Sequence, residues 1–318
     1  MKQREMTLLA RADALKPATA GFSRTIIAAV RYRVHLHDPI GYLLPLRLLV
    51  VDSETADEKN ERRKASGAAS YETYATTLRK IDPDALIGTI CCVEGDDTSP
   101  DFSNIDGVLF AGSPIQMHKQ TEETRSAAAF MTRVFAAGTP AFGSCAGLQI
   151  AAVAAGGRCK PREAGMQVGF ARDIVPTAEG RDHPLFHGRP QVWAAPAMHS
   201  SVVDHLPPGA IRLAQSKATP TEAAEIRSGN GVFWGVQYHP ELDLSEIAAS
   251  IRRQSKDVLE QGLAENKEAV EAYARMLEGL DRNPDRQDLA WQIGVDEEVT
   301  SASRRQVELV NFLRSLKG

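Results

Sequence analysis

The sequence predicts an α/β fold: a doubly wound, mostly parallel central sheet flanked by helices. Three observations carry that expectation. Strand-like apolar runs alternate with helical patterns from Leu46 onward, as successive βα units require. The run Leu46-Arg47-Leu48-Leu49-Val50-Val51-Asp52 and the run Gly107-Val108-Leu109-Phe110-Ala111 read as buried strands. Finally, Gly143-Ser144-Cys145-Ala146-Gly147-Leu148-Gln149, directly after Pro140-Ala141-Phe142, reads as a strand entering a sharp turn that opens a helix.

Taken in order, the first strand falls at Leu46–Asp52 and is followed by a polar, charged loop from Ser53 to Lys64. A helix is predicted from Ser70 to Ile81 and a strand near Leu86–Val93, with the adjacent Cys91 and Cys92 as core filling. The strand at 107–111 ends in the turn Gly112-Ser113-Pro114. Thr121 is the expected N-cap of the next helix, with Glu122 and Glu123 complementing its dipole and Gly138 as its stop. The elbow strand and its helix come next, closed by Gly156-Gly157. Shorter strands are expected at Val168–Ile174, Val192–Ala195, Ile211–Ala214, Ala223–Ile226 and Val232–Tyr238. Beyond Leu244 the chain is charged and helical, with a last apolar stripe at Val307, Val310, Leu313 and Leu316 that suits packing.

This gives three regions. Residues 1–45 form a basic N-terminal extension, in which Lys2, Arg4, Arg11, Lys16, Arg24, Arg31 and Arg33 outnumber Glu5, Asp13 and Asp38. It reads as a loosely packed extension, a targeting segment, or sequence translated upstream of the true start. Residues 46–251 form the α/β domain and residues 252–318 a helical extension.

With 318 residues, 43% of them hydrophobic, the chain is long enough for a sizeable core. Its formal net charge of -4 lacks the basic excess of a nucleic-acid binder. No apolar stretch is long enough to cross a bilayer, so no membrane partner is expected. The four cysteines show no CxxC spacing, which points away from zinc and disulfides and toward a reducing cytoplasm. His183 and His187 lie in one loop but lack a third ligand, so solvent exposure is expected and no metal or cofactor is assigned.

At the elbow, the backbone needs very small residues two positions either side of its apex, and Gly143 and Gly147 supply them. Cys145 at the apex also faces a helix N-terminus, which favours thiolate over thiol. A nucleophile needs a base, and the base needs an orienting acceptor. His239-Pro240-Glu241 offers both, because the proline keeps the backbone extended and residues i and i+2 then project to one side. The alternative for Cys145 is a buried apolar cysteine beside a glycine-rich turn.

Four motifs together resemble the class I, triad-type glutamine amidotransferases, the glutaminase domain found in GMP synthase, anthranilate synthase and carbamoyl-phosphate synthase. They are Gly107 to Pro114, the elbow Gly143 to Gln149, His199-Ser200-Ser201-Val202-Val203 with Leu206-Pro207-Pro208-Gly209, and Gly235-Val236-Gln237-Tyr238-His239-Pro240-Glu241. They occur in the family's order across roughly 46–251. The resemblance implies a flavodoxin-like sheet and a glutamine side-chain amide hydrolysed through a Cys145 thioester. His239 would serve as acid and base, with Glu241 as its orienter. It implies oxyanion donors from the backbone of Ala146 and the Gly112-Ser113 turn, substrate contacts from Gln149 and from Ser200-Ser201, and no cofactor. His199 is structural in this reading. Family members carry Gly-Gly-Pro where this chain has Gly112-Ser113-Pro114; a serine keeps its N–H there and adds strain only if φ is positive.

No pyrophosphatase loop and no GxxxxGK[ST] loop occurs in the sequence, so the ammonia acceptor is expected on a separate synthetase partner or is absent. Three readings follow: a glutaminase serving a separate partner, a free-standing hydrolase of γ-glutamyl amides or peptides, and a catalytically silent binding module.

Overall fold

The computed structural model describes residues 44–94 and 100–317; the expected N-terminal extension falls almost wholly outside them. The chain runs β1 (Arg47–Asp52), α1 (Ala56–Ser66), α2 (Ser70–Ile81), β2 (Leu86–Cys91), β3 (Gly107–Phe110), α3 (Glu122–Ala137), β4 (Ala141–Ser144) and α4 (Ala146–Ala154). Then follow β5 (Arg158–Pro161), β6 (Gln167–Pro176), β7 (Trp193–His199), β8 (Ser201–His205), β9 (Ile211–Gln215), β10 (Ala223–Ser228) and β11 (Gly231–Val236). The remainder is helical: α5 (Leu244–Arg253), α6 (Ser255–Glu260), α7 (Lys267–Arg282), α8 (Gln287–Ile293), α9 (Glu297–Thr300), α10 (Ala302–Arg305) and α11 (Val307–Leu316).

Nine strands form one sheet in the order β2-β1-β3-β4-β11-β10-β9-β6-β7. The first five are parallel, and the last four extend them antiparallel. β5 and β8 pair separately. Successive side chains of a strand face opposite sides, so the apolar run of β1 feeds two cores at once. Leu48 and Val50 join Leu109, Phe142, Tyr74 and Leu78 on one face. Leu49 and Val51 join Phe110, Phe130, Met131 and Leu148 on the other. A third cluster lies among α5, α7 and the ends of α6 and α8, with Ile247, Ile251, Leu277 and Leu280 at its centre.

Helix α2 has the predicted bounds, and α3 starts at a Thr121 cap and stops at a left-handed Gly138. Four expectations are corrected. The loop expected at 53–64 is mostly helix α1, capped by a reciprocal Thr55–Glu58 box and ended by a left-handed Gly67; it buries no residue and so shows no apolar period. Strands β5 and β8 were not foreseen, since their partners lie about forty residues apart and β5 carries a proline. The buried face of α11 runs through Leu309, Phe312 and Leu313, with Leu316 packed beside them, whereas Val307 and Val310 are half-buried. Those four have the i, i+3, i+4, i+7 spacing of a helix face, while an unbroken three-residue stripe drifts around the helix. Cys92 is buried as expected, but Cys91 is only half-buried.

Through α11 the last residues reach the sheet itself. Tyr238 donates to Glu308 at 2.8 Å, and buried Arg189 pairs with Glu308 and Glu298, each at 2.7 Å. Arg304 adds a second cation, 3.6 Å from Glu298, and a buried ion cluster of this kind is stable only when its charges are matched. No helix among the described residues is long and apolar enough to cross a membrane.

Candidate active site

Cys145 sits between β4 and α4 with φ 51° and ψ −100°, a conformation that costs a non-glycine residue roughly 1–3 kcal/mol and persists only where its surroundings impose it. Its N–H donates to the Val236 carbonyl at 2.7 Å, which ties the elbow to the end of β11. The flanking glycines are required by space. A Cβ on Gly147 would lie 2.8 Å from Cβ of Phe110, and one on Gly143 would lie 2.9 Å from Cα of Gly147.

β4 and β11 are parallel neighbours, so the residues just past their carboxyl ends meet at one edge of the sheet, where ligands bind in open α/β sheets. There His239 lies close enough to Cys145 for the thiol's charge to act on it, while its Nδ1 lies 2.7 Å from Oε1 of Glu241. Further bonds fix the pair: the His239 N–H donates to the Pro196 carbonyl at 2.7 Å, and Thr77 Oγ1 donates to the Glu241 carbonyl at 3.1 Å. Burial alone would push the imidazole toward its neutral form. The charges of Glu241 and Cys145 outweigh that and raise its pKa to about 10. A thiol beside an imidazole that a carboxylate holds in place has the parts of a nucleophile, a proton carrier and an orienter.

The Gly112-Ser113 turn presses against this ring: a Cβ on Gly112 would lie 2.5 Å from Cε1 of His239. Glycine is therefore needed at 112 for close approach. Ser113 does not have a positive φ, so the serine brings no strain of that kind. Ser70 Oγ donates to the Gly112 carbonyl, which turns the Ser113 N–H of the same planar peptide to the opposite side. Ala146 is the first residue of α4, and its N–H has no acceptor within the helix.

Gln149 is buried and lines the same cavity. Its Nε2 donates to the Ser201 carbonyl at 2.9 Å and to Oε1 of Gln237 at 3.3 Å, while its Oε1 has no partner among the described residues. Ser200 is exposed and Ser201 buried, and both line the cavity. The Ser201 hydroxyl is already engaged with the Lys160 carbonyl and with His118. His199 is buried beside them with its Nδ1 3.1 Å from the Ser201 carbonyl; desolvation, then the charges of Arg162 and His239, push its pKa down to about 3, so it stays neutral.

The cavity measures about 600 Å³. All nine residues expected at the site gather there except Ala146 and Glu241, which adjoin it through Cys145 and His239. The sequence reading missed Gln237, whose Nε2 lies 3.5 Å from Cys145 Sγ, and the far wall formed by α1 and the end of α5, with Glu54, Arg62 and Arg253. A signal for α1 was present in Thr55-Ala56-Asp57-Glu58, a capping-box sequence. His187 is exposed as expected, but His183 is half-buried, 3.2 Å from Glu225 and packed on Trp234. Among the described residues no cluster suits a metal ion.

Residues 80–257 match the family model described as glutamine amidotransferase class-I. The chain is 30% identical over 280 residues to a gamma-glutamyl-L-1-hydroxyisopropylamide hydrolase from a Pseudomonas species, an alignment covering 85% of this chain and 93% of that protein. It is 28% identical over 185 residues to the GMP synthase of Enterococcus faecalis, covering 58% of this chain but only 29% of that enzyme. In fold, it is similar to a glutamine amidotransferase of Thermotoga maritima, with a TM-score of 0.59 at 13% identity over 86% of this chain and 98% of the other. A glutamine amidotransferase of Methylobacillus flagellatus gives 0.57 at 15% identity over 86% and 95%. On these matches and the shared motifs, the chain belongs to the class-I glutamine amidotransferases.

Proposed function

We propose that this chain is a cysteine-dependent C–N hydrolase that cleaves γ-glutamyl amides, through a thioester on Cys145, without a synthetase partner. The observation that carries this is the series Cys145, His239, Glu241, with His239 beside the thiol and hydrogen-bonded to Glu241, at a cavity far larger than an ammonia leaving group needs. The likeness to a γ-glutamyl amide hydrolase over 93% of that protein's length supports it.

The Cys145 thiolate attacks the γ-carbonyl carbon, forming a C–S bond and moving the carbonyl electrons onto oxygen. Backbone N–H groups of Ala146 and Ser113 receive that oxyanion, each lowering the barrier by about 3 kcal/mol. The His239 imidazolium hands its proton to the departing nitrogen, the C–N bond breaks, and the amine leaves. Neutral His239 then takes a proton from water, hydroxide adds to the thioester carbon, and the C–S bond breaks to release glutamate. Glu241 holds the ring in one tautomer throughout, and the free Oε1 of Gln149 accepts from the substrate's α-ammonium.

A second reading, a glutaminase supplying ammonia to a separate synthetase, draws on the likeness to GMP synthase and uses the same steps. One set of assays separates the readings. Purified wild type and Cys145→Ala are given glutamine and γ-glutamyl alkylamides, with and without cell extract. Partner-free cleavage of the alkylamides, falling roughly ten-thousand-fold in the variant, is expected. Glutaminase activity that appears only with extract overturns it in favour of the partner reading. Complete inactivity, together with alkylation of Cys145 as slow as that of Cys92 and Cys159, whose thiols burial pushes well up, would point to a silent module.

A further inference from the structure

The wall facing Cys145 carries two arginines that the chemistry above does not use. Arg62, on α1, has a side chain only 11% exposed; its nearest carboxylate, Glu54, stands 3.8 Å away, and its buried Nε has no hydrogen-bond partner. Arg253, the last residue of α5, lies at the cavity rim and makes no hydrogen bond or ion pair among the described residues. The two are close enough to repel: after partial desolvation, the charge of Arg62 is the next cause lowering the Arg253 pKa, while the charges of Glu54 and Glu61 act in the opposite direction.

Carboxylates line this wall too, but those deepest in it are committed. Glu54 accepts from the Ser70 N–H at 2.9 Å, and Glu58 from the Thr55 N–H at 2.8 Å. Glu61 and Asp257 are solvent-exposed. What the wall leaves unmatched is donor capacity, at the buried Nε of Arg62 and on the guanidinium of Arg253 at the rim, and an unpaired buried donor is stabilised by an acceptor. Two guanidiniums side by side suit a carboxylate, which each can grip through two N–H groups.

We propose that the arm of the cavity between α1 and α5 binds a carboxylate carried by the leaving amine, so that the preferred substrates are γ-glutamyl conjugates of amino acids. This rests on the hydrolase reading. Hydrolysis then adds water across the γ-glutamyl C–N bond and yields glutamate and a free amino acid, with no other co-reactant. Free glutamine fills only the Cys145 end of the site.

The test compares γ-glutamyl conjugates of ω-amino acids of increasing chain length with the matching carboxamides and the matching γ-glutamyl diamines. The acid of the best length is expected to exceed its carboxamide in kcat/KM by about tenfold to a hundredfold, the value of a charge-assisted hydrogen-bond pair. Arg62→Gln and Arg253→Gln are expected to erase most of that preference. Equal rates for acid and carboxamide in wild type, or a preference for the diamine, overturn the proposal, and neither result depends on a variant that folds. Calorimetry on Cys145→Ala separates the two levels. Tighter binding of acid than of carboxamide, with no turnover in wild type, would keep the anion subsite and remove the hydrolase reading; equal binding would remove the subsite.

Discussion

On one wall of the cavity Cys145 and His239, with Glu241 behind them, are 5%, 7% and 3% exposed and held by bonds from several elements. On the opposite wall α1 buries no residue, and polar pairs attach it: Lys59 to Asp52 at 3.1 Å and Arg63 to Glu72 at 2.7 Å. The first wall is fixed by close packing, which tolerates little change. The second is fixed by charge and caps: the partly exposed Arg63–Glu72 pair and the Thr55 cap are worth about 1 kcal/mol or less each, while the Lys59–Asp52 pair is largely buried. On the function proposed above, a site assembled this way would keep its bond-breaking atoms in one geometry while the residues that judge the leaving group stay replaceable.

The sharpest way to break that contrast is Gly147→Ala. The new Cβ meets Phe110 at Cβ and at its carbonyl oxygen, 3.0 Å away, and backbone cannot yield cheaply. A stability loss of about 1–3 kcal/mol is expected from overpacking. Activity should fall by at least about a hundredfold, since a shift of about 1 Å in a reacting group has that effect. Denaturant unfolding and kcat/KM on one γ-glutamyl amide check both; an active, equally stable variant would show that the elbow is less constrained than its packing implies.

Glu241→Gln tests the electrostatic part of the same wall. Glu241 is the leading cause that raises His239, so removing it lowers that pKa. The alkaline limb of kcat/KM, expected near pH 10 in wild type, should move down toward the ordinary histidine value, with a rate loss of about 10²–10⁴-fold. The sign for stability is the same. A raised histidine contributes fully below its ordinary pKa and loses that contribution as pH rises toward about 10, so wild type should lose stability across that window more than the variant does. An unmoved alkaline limb would mean that Glu241 only packs.

Legibility in the sequence divides along the same line. β1, α2, α3 and the elbow could be read because burial leaves a period, and because Gly143, Gly147 and the His239-Pro240-Glu241 run are imposed by geometry. Helix α1 could not be read by period because nothing in it is buried, and Arg62 was hidden with it. The antiparallel half of the sheet and the β5–β8 pair depend on which distant segments meet, as in Cys159 opposite Val203, and no local pattern states that. The role of α11 was half-visible: its apolar residues were seen, but their true face is set by contact with Phe142 and Trp234.

Thr55→Ala is the mildest probe and bears only on the second wall. It removes the hydroxyl that accepts from the Glu58 N–H and donates to the Glu58 carboxylate, leaving only the residue-55 N–H to hold that carboxylate. Cap loss costs about 1 kcal/mol, which for a chain of this size lowers Tm by roughly 2–4 °C at most. Because α1 buries nothing, the loss should stay local and appear as faster hydrogen exchange over residues 56–66, with α3 and α4 unchanged. Fraying of α1 loosens Arg62, so KM for an acidic conjugate should rise a few-fold while kcat on a simple γ-glutamyl alkylamide holds. If both substrates suffer alike, α1 supports the bond-breaking wall directly, and the division between a packed chemical wall and a polar selecting wall fails at its weakest joint.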